Sequence, residues 1–555
     1  MSQLSPYQLF PLKTLAKRMS SFGFPANLES RTAKIQKWLD FITSSDRSND
    51  ATDAEFLHEI FVDVLGYRSP FYPDNKGWEL EFRPTPCLGF FTEETSHVVA
   101  EIFPGEIDLK PESIHDTTEW LIVTNYHEIR LYHKLSSSLF YQQFYLDGLT
   151  DPENLKQFYF ILCRRTLLTG AAKTQEASRT LQLLEESQQV EADIAKDFYS
   201  QFHKIRLQLV KDFQYRLQQL PRSLELQNGV DDIKLVAIAQ AQKLLNRILF
   251  IAVCEDRQLL ANGLLNNAYE FHNPYTNQPV WVNYKAIFNW IDQGNLKPNW
   301  QVNAYGGSLF AQDDILDRFL FVGDELCRQI KELTRFNFDE EISNTVLAFV
   351  LEESTKDLAL LRMEPEKSPK RRKYNYPPKS LLNSTSISSA IKYYLANKLP
   401  LSNANSDPSD LDALAYLRLR LSSLLDLKIV NINCSSGIGL ITALNYLLSE
   451  YRKIEQELQQ LGIALEPEIY EGFPGFNQVD LMAMICQRNL FGCDPSAENI
   501  EIAKLGLWLR TAQSDRPLLP LDNNIKLGDL SSRNLASKFT EFFGRDTTAE
   551  CLLII

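Results

Sequence analysis

Apolar and polar positions alternate in three successive ways along the chain. Up to residue 165 there is one stretch with apolar residues at helical spacing, Ala54–Leu65. Short runs follow it: Glu79–Arg83, Cys87–Phe91, His97–Phe103, Glu119–Thr124 and Ile129–His133. Gly, Pro and Asn separate the runs, so they read as strands joined by turns. Next, Gln175–Leu217 repeats apolar side chains every three or four positions and predicts a long helix. Asp231 and Asp232 open a second helix that runs to Leu260, and acidic side chains suit the positive end of a helix dipole. Shorter helices and a Gly306–Gly307 turn lead to a linker rich in Pro and Lys over 364–380. From Leu427 the pattern becomes strand, turn, helix. Leu427–Asn433 reads as a strand, Cys434–Gly437 as a turn of small residues, and Ile438–Leu461 as a helix. Asn489–Cys493 and Ser496–Thr511 repeat the strand and helix, and Asn524–Leu527 is a third strand. This alternation predicts a parallel sheet with helical crossovers.

Composition fits a folded chain. Of 555 residues, 44% are hydrophobic and 23% charged, which suits about three or four globular domains. The class is α/β overall. The expected division is an α/β domain over 1–165, a helical connector over 166–363, a basic linker with short helices over 364–426, and an incomplete doubly wound domain over 427–555. The apolar stretch Ile248–Cys254 is too short to span a bilayer, so no membrane partner is expected. The start shows no charged leader followed by an apolar block. Eight cysteines lie singly with no C-x-x-C pair, which points to a reducing cytoplasm and to no metal.

The net charge of −14 argues against a general nucleic-acid coat. Residues 361–380 depart from it, with seven basic and two acidic side chains, hence +5. Lys370, Arg371, Arg372 and Lys373 are either a solvated loop between domains or a nucleic-acid contact.

Several segments, in order, carry a family resemblance. "IVNINCSSGIGLITALNYLL" resembles the cofactor loop of adenine-N6 DNA methyltransferases, whose usual form is D-P-A-C-G-S-G-x-F-L. "NLFGCDPSAENIEIAKLGLWLRTA" resembles the next strand–acid–helix unit, "NIKLGDL" the third strand, and "KYNYPPKSL" the H-Y-T-P segment that opens the domain. "AQAQKLLNRILFIAVCEDRQLL", "NAYGGSLF" and "FNFDEEISNTVLAFVLEEST" are similar to the helical connector of type IIG restriction–modification enzymes and their phage-defence relatives. "EWLIVTNYHEIRLY" is similar to the end of their N-terminal nuclease-like domain. The resemblance covers roughly residues 50–530.

The resemblance implies a pocket for S-adenosyl-L-methionine formed by Tyr376, Asn431, Cys434, Ser436, Gly437, Asp494 and Asp529. A strand ending in a glycine turn presents backbone N–H groups at a helix N-terminus. Asn431 stands where the family has Asp, and an amide forgoes a charge-assisted bond to the cofactor's ammonium. Ser435 stands where the family has Gly, and a Cβ there is costly if the position needs a positive φ. Asp494 is either the acid that holds the ribose hydroxyls or a helix cap before Pro495. Asp529 is either an adenine-ring contact or an ordinary Gly-Asp turn residue. Tyr376 either closes the pocket or packs as a linker aromatic.

Other family parts are missing. No N-P-P-[YFW] sequence occurs, although that motif holds the flipped base. After Leu530 the chain ends in CLLII, so the sheet is expected to stop after three strands with an open edge and an uncovered apolar face. In the nuclease-like part, Glu101 stands for the second acid of a P-D…(E/D)-x-K site. Pro86 takes the place of the first Asp and Phe103 that of the Lys. Asp108 and Lys110 lie at the wrong spacing. Nuclease activity is therefore expected to be absent, with Glu101 a relic or a structural carboxylate. His127 beside Arg130 reads as a strand-edge histidine rather than a DNA contact. The implied function is the front part of a truncated or split site-specific adenine-N6 DNA methyltransferase. It belongs to a restriction–modification or phage-defence system, binds the cofactor weakly or not at all, and is inactive alone. Its partners are DNA and a C-terminal methyltransferase or target-recognition chain from a split gene. The alternative is a non-catalytic DNA- or partner-binding module with a vestigial pocket, a pseudoenzyme.

Overall fold

The structure is a computed structural model. It describes residues 8–44, 50–69, 80–83, 88–91, 98–102, 119–134, 140–168, 178–220, 233–272, 275, 278–297, 301–338, 342–363, 375–382, 384–398, 410–462, 473–530, 535–544 and 551–555. The chain forms two compact units, Met1–Asp193 and Ile194–Ile555. The expected connector thus divides between them, and everything from Ile194 onward lies in one unit.

The first unit is built on a sheet with strands in chain order: β1 (Leu80–Arg83), β2 (Leu88–Phe91), β3 (Val98–Ile102), β4 (Trp120–Thr124), β5 (Glu128–His133) and β6 (Gln142–Tyr145). Neighbours are antiparallel except β3 and β4, which are parallel. Alternate side chains of the central strands enter a large core. Trp120, Ile122, Ile129, Leu131 and Phe144 pack there with Trp38 of helix α1 (Thr32–Ser44) and Phe158 of helix α2 (Pro152–Leu162). Leu121, Val123 and Tyr132 form a second cluster with Tyr141 on the other face. Burial on both faces explains why WLIVT is apolar throughout instead of alternating. The predicted helix Ala54–Leu65 is an α-helix, Asp50–Phe56, that continues as a π-helix over Leu57–Val64.

Helix α3 (Arg179–Gln219) runs across the boundary between the units. The second unit begins with buried helices. Helix α4 (Ile233–Asp256) is buried on all sides from Ile248 to Glu255. It is also long and apolar enough to cross a membrane, but 83% of that apolar window is buried by the protein, as in a core helix. Helix α5 (Leu264–Glu270) follows. Helix α6 (Asn344–Met363) buries every residue from Thr345 to Thr355, including Glu352, Glu353, Ser354 and Thr355. Helix α7 (Ser384–Lys398) leads toward the sheet.

That sheet contains β7 (Lys428–Ile432), β8 (Leu490–Asp494), β9 (Ile525–Leu527) and β10 (Leu552–Ile554). The order is β10-β7-β8-β9 and every pairing is parallel. Helices α8 (Ile438–Gln460), α9 (Gln478–Arg488) and α10 (Ala497–Thr511) connect the strands. Helix α11 (Leu535–Phe543) covers the opposite face, where Phe539 and Phe543 pack on Val430, Phe491 and Cys493. The expected three-stranded sheet with an uncovered face is therefore corrected. The terminal apolar run is a fourth strand beside β7, bound by Ile555 N–H to the Val430 carbonyl at 2.9 Å. β10 is a partly exposed edge strand of three residues, and so short an apolar run carries little signal.

Candidate functional site

Strand order makes a topological switch point here. From β7 the chain crosses to β8 and β9 on one side, and β10 returns to the other side of β7. The connections diverge between β7 and β10, and in open parallel sheets ligands bind beyond the carboxyl ends of strands at such a point. The residues at those ends are the predicted ones. Asn433–Gly437 follow β7, Asp494 ends β8 and Asp529 follows β9.

The turn after β7 is tightly wound. Asn433, Ser435 and Gly437 all adopt the left-handed conformation, at φ +58°, +46° and +76°. The Cys434 N–H donates to the Cys493 carbonyl at 2.9 Å, and the Gly437 N–H to the Cys434 carbonyl at 2.8 Å. Gly437 has no room for a side chain, because a Cβ would lie 2.8 Å from Ala503 Cα. Its neighbour Ser436 is buried. Burial also pushes the Cys434 thiol up, helped by Asp494 nearby, so it stays protonated and unreactive. Asn431 is half-buried and faces α8, and a Cβ on Gly439 would meet its Nδ2 at 2.4 Å. Ser435 is thus a residue with a side chain at a position that favours glycine.

Asp494 ties this turn to the next helix. Its Oδ2 accepts the Ser435 N–H at 3.0 Å; its Oδ1 accepts the Ser496 N–H at 2.8 Å and Asn499 Nδ2 at 3.0 Å. Its side chain is 3% exposed. Asp494 is not the helix cap, because Ser496 fills that place by accepting from the Asn499 N–H. The Gly528 N–H donates to the Asp494 carbonyl at 3.0 Å, which brings the β9 end and the exposed Asp529 beside it.

Helix α6 supplies parts that sequence reasoning missed. The Ser435 hydroxyl donates to Thr355 Oγ1 at 3.2 Å, and the Thr355 hydroxyl donates to the Glu352 carbonyl at 2.8 Å. The Glu352 carboxylate accepts the Ser380 N–H at 3.0 Å and also the Ser380 hydroxyl. Tyr376, four residues earlier, is half-buried with its ring 5.8 Å from Phe349 of the same helix. Arg362, near the end of α6, pairs with the buried Glu498 in the first turn of α10. The only advance signal was a run of polar residues, EEST, in an otherwise apolar helix.

The structure does not gather the other predicted groups here. Lys370, Arg371, Arg372 and Lys373 lie outside the described residues, as do Pro86, Phe103, Asp108 and Lys110. Glu101 lies on β3 opposite Val123, which is itself opposite Arg130. Arg130 is bonded to Glu128 and lies over the Tyr141 ring at 4.8 Å. His127 is exposed in the β4–β5 turn, where its N–H donates to Asn125 Oδ1 at 3.3 Å.

A curated protein of Methanocaldococcus jannaschii, named "Putative type II restriction enzyme and methyltransferase RM.MjaORFECS2P", is 23% identical over 547 aligned positions that cover 82% of this chain. The chain is related to restriction–modification enzymes. It spans 42% of the length of that restriction–modification relative. No protein-family profile matches it. A solved restriction–modification enzyme, the type IIL enzyme MmeI in complex with DNA, overlays on 62% of this chain and 38% of its own. The TM-score is 0.32 and the identity 14%, too low for a shared fold to be drawn from it.

Proposed function

We propose that this chain is the nuclease-like, connector and cofactor-binding part of a site-specific adenine-N6 DNA methyltransferase from a restriction–modification or phage-defence system. The observation that supports it best is that the Cys434–Gly437 turn, Asp494 and Asp529 lie at neighbouring strand ends of a parallel sheet whose connections diverge at β7/β10.

The residues fit S-adenosylmethionine in placement. A carboxylate has about four lone-pair directions. Ser435, Ser496 and Asn499 fill three of those of Asp494, which leaves one for a ribose hydroxyl. Asp529 is exposed for the adenine edge, and Tyr376 packs on Phe349 of the helix that supports the turn. Asn431 offers an amide without charge. When bound, the cofactor supplies an electrophilic methyl group. This chain's own groups bind and orient it, and no residue here is assigned to hold the target base. Methylation therefore needs the N-P-P-Y part from a further segment or a partner chain, and binding is weak because two charge-assisted contacts are reduced.

The three internal bonds of Asp494 and the strained Ser435 also favour a second reading, a DNA- or partner-binding module whose pocket is vestigial. Equilibrium dialysis of radiolabelled S-adenosylmethionine against the full chain separates the two. One site per chain is expected. No retention at millimolar cofactor would withdraw the cofactor reading and leave the second. For that reading, a salt-dependent shift of duplex DNA lost on replacing Arg371, Arg372 and Lys373 by Ala is the expected result.

A further inference from the structure

We propose that Thr355 of the connector helix is a positioning residue for the cofactor turn. Its hydroxyl holds Ser435 in the left-handed conformation and so aims the Ser435 N–H at Asp494. The proposal rests on the cofactor reading above for its consequence, but not for its geometry.

The argument starts from a conflict. Ser435 carries a Cβ at φ +46°, where glycine is favoured. A strained residue persists only where its surroundings over-determine it. Two bonds do so here, one from each side of the residue. Its N–H donates to Asp494 Oδ2 at 3.0 Å, and its hydroxyl donates to Thr355 Oγ1 at 3.2 Å. Thr355 cannot swing freely to follow, because its own hydroxyl donates to the Glu352 carbonyl and the residue is 6% exposed. The same turn of α6 bonds Ser380 through the Glu352 carboxylate. One rigid helix therefore sets the positions of the glycine-turn substitute and of the segment just after Tyr376. A glycine at 435 would adopt this conformation without help. The serine makes the turn depend on the connector.

That dependence gives a test that a merely structural role would not satisfy. Thr355→Val keeps the shape and removes the hydroxyl; Thr355→Ser keeps the hydroxyl. With S-adenosylmethionine as the probe on the full chain, Thr355→Val is expected to weaken binding about five-fold, the loss of one net hydrogen bond. Thr355→Ser is expected to restore it. In a Ser435→Gly background, Thr355→Val is expected to change nothing further. Equal losses in both backgrounds, or no loss in either, would overturn the proposal. Amide hydrogen exchange at Ser435, without any ligand, decides the geometry separately. Thr355→Val should speed it about five-fold while exchange in α6 stays unchanged. If the parent chain binds no cofactor, the cofactor reading fails and exchange alone decides. Faster exchange then upholds the positioning role, and unchanged exchange overturns it.

Discussion

Gly437→Ala separates two reasons for a glycine in the turn after β7. A glycine there could serve a ligand's approach or the protein's own packing. Gly437 adopts φ +76° at the start of α8, and a Cβ would lie 2.8 Å from Ala503 Cα and 2.9 Å from its carbonyl oxygen. Left-handed backbone with a side chain costs roughly 1 kcal/mol. Forcing a methyl against helix backbone costs about 1–3 kcal/mol more, since α10 must shift. The expected loss is about 3 kcal/mol in all. Gly462, just past the other end of α8, is the control, with φ +66° and nothing within 4 Å of its Cβ position. Gly462→Ala bears only the backbone part, about 1 kcal/mol. At about 2 °C per kcal/mol for a unit of this size, the two variants should melt about 4 °C apart. Scanning calorimetry of the full chain without ligand reads the difference. Equal melting temperatures would refute the packing argument and return the glycine to a ligand role.

Glu255 makes stability depend on pH. Burial pushes its carboxyl up to about 7, against the opposing effect of the Leu265 and Gly263 N–H groups that it accepts. The folded chain keeps this proton while the unfolded chain releases it, so stability falls as pH rises from about 4.5 to about 7. The ceiling on this effect is roughly 3 kcal/mol. Urea midpoints across that range should decline in the parent and flatten in Glu255→Gln; a parallel decline would contradict the assignment. Arg247 is fully buried and donates to the carbonyls of Leu309 and Ala311 and to Asp317. Arg247→Met should cost about 3–5 kcal/mol by stranding Asp317, and adding Asp317→Leu should recover part of it in the same melts.

Strands β7, β8 and β9 and helices α8 and α10 were legible because β-α alternation with glycine turns has one main solution, whereas α9, α11 and β10 were not read. The strand read as Leu427–Asn433 is Lys428–Ile432, and the helix read as Ser496–Thr511 is Ala497–Thr511. Strand β6, QQFY, was missed because two glutamines hide its alternation. The left-handed Ser435 was expected only as a conditional cost, and Asp494 was left between two roles. The structure gives the helix cap to Ser496 and brings Thr355, eighty residues away in sequence, to Ser435. A helix buried on all sides has no amphipathic stripe, so nothing in its sequence says which polar side chain meets which partner. The residues at the strand ends were thus readable, and their support by α6 was not.

Calorimetric titration of the full chain with S-adenosylmethionine, alongside Asp529→Ala, tests the central claim most directly. Asp529 is exposed, so its truncation disturbs the fold less than any change at the buried Asp494. The account predicts saturable binding with one site per chain, weakened about five-fold in the variant. Identical binding in both would place the cofactor away from these strand ends, and no heat at millimolar cofactor would contradict the claim outright.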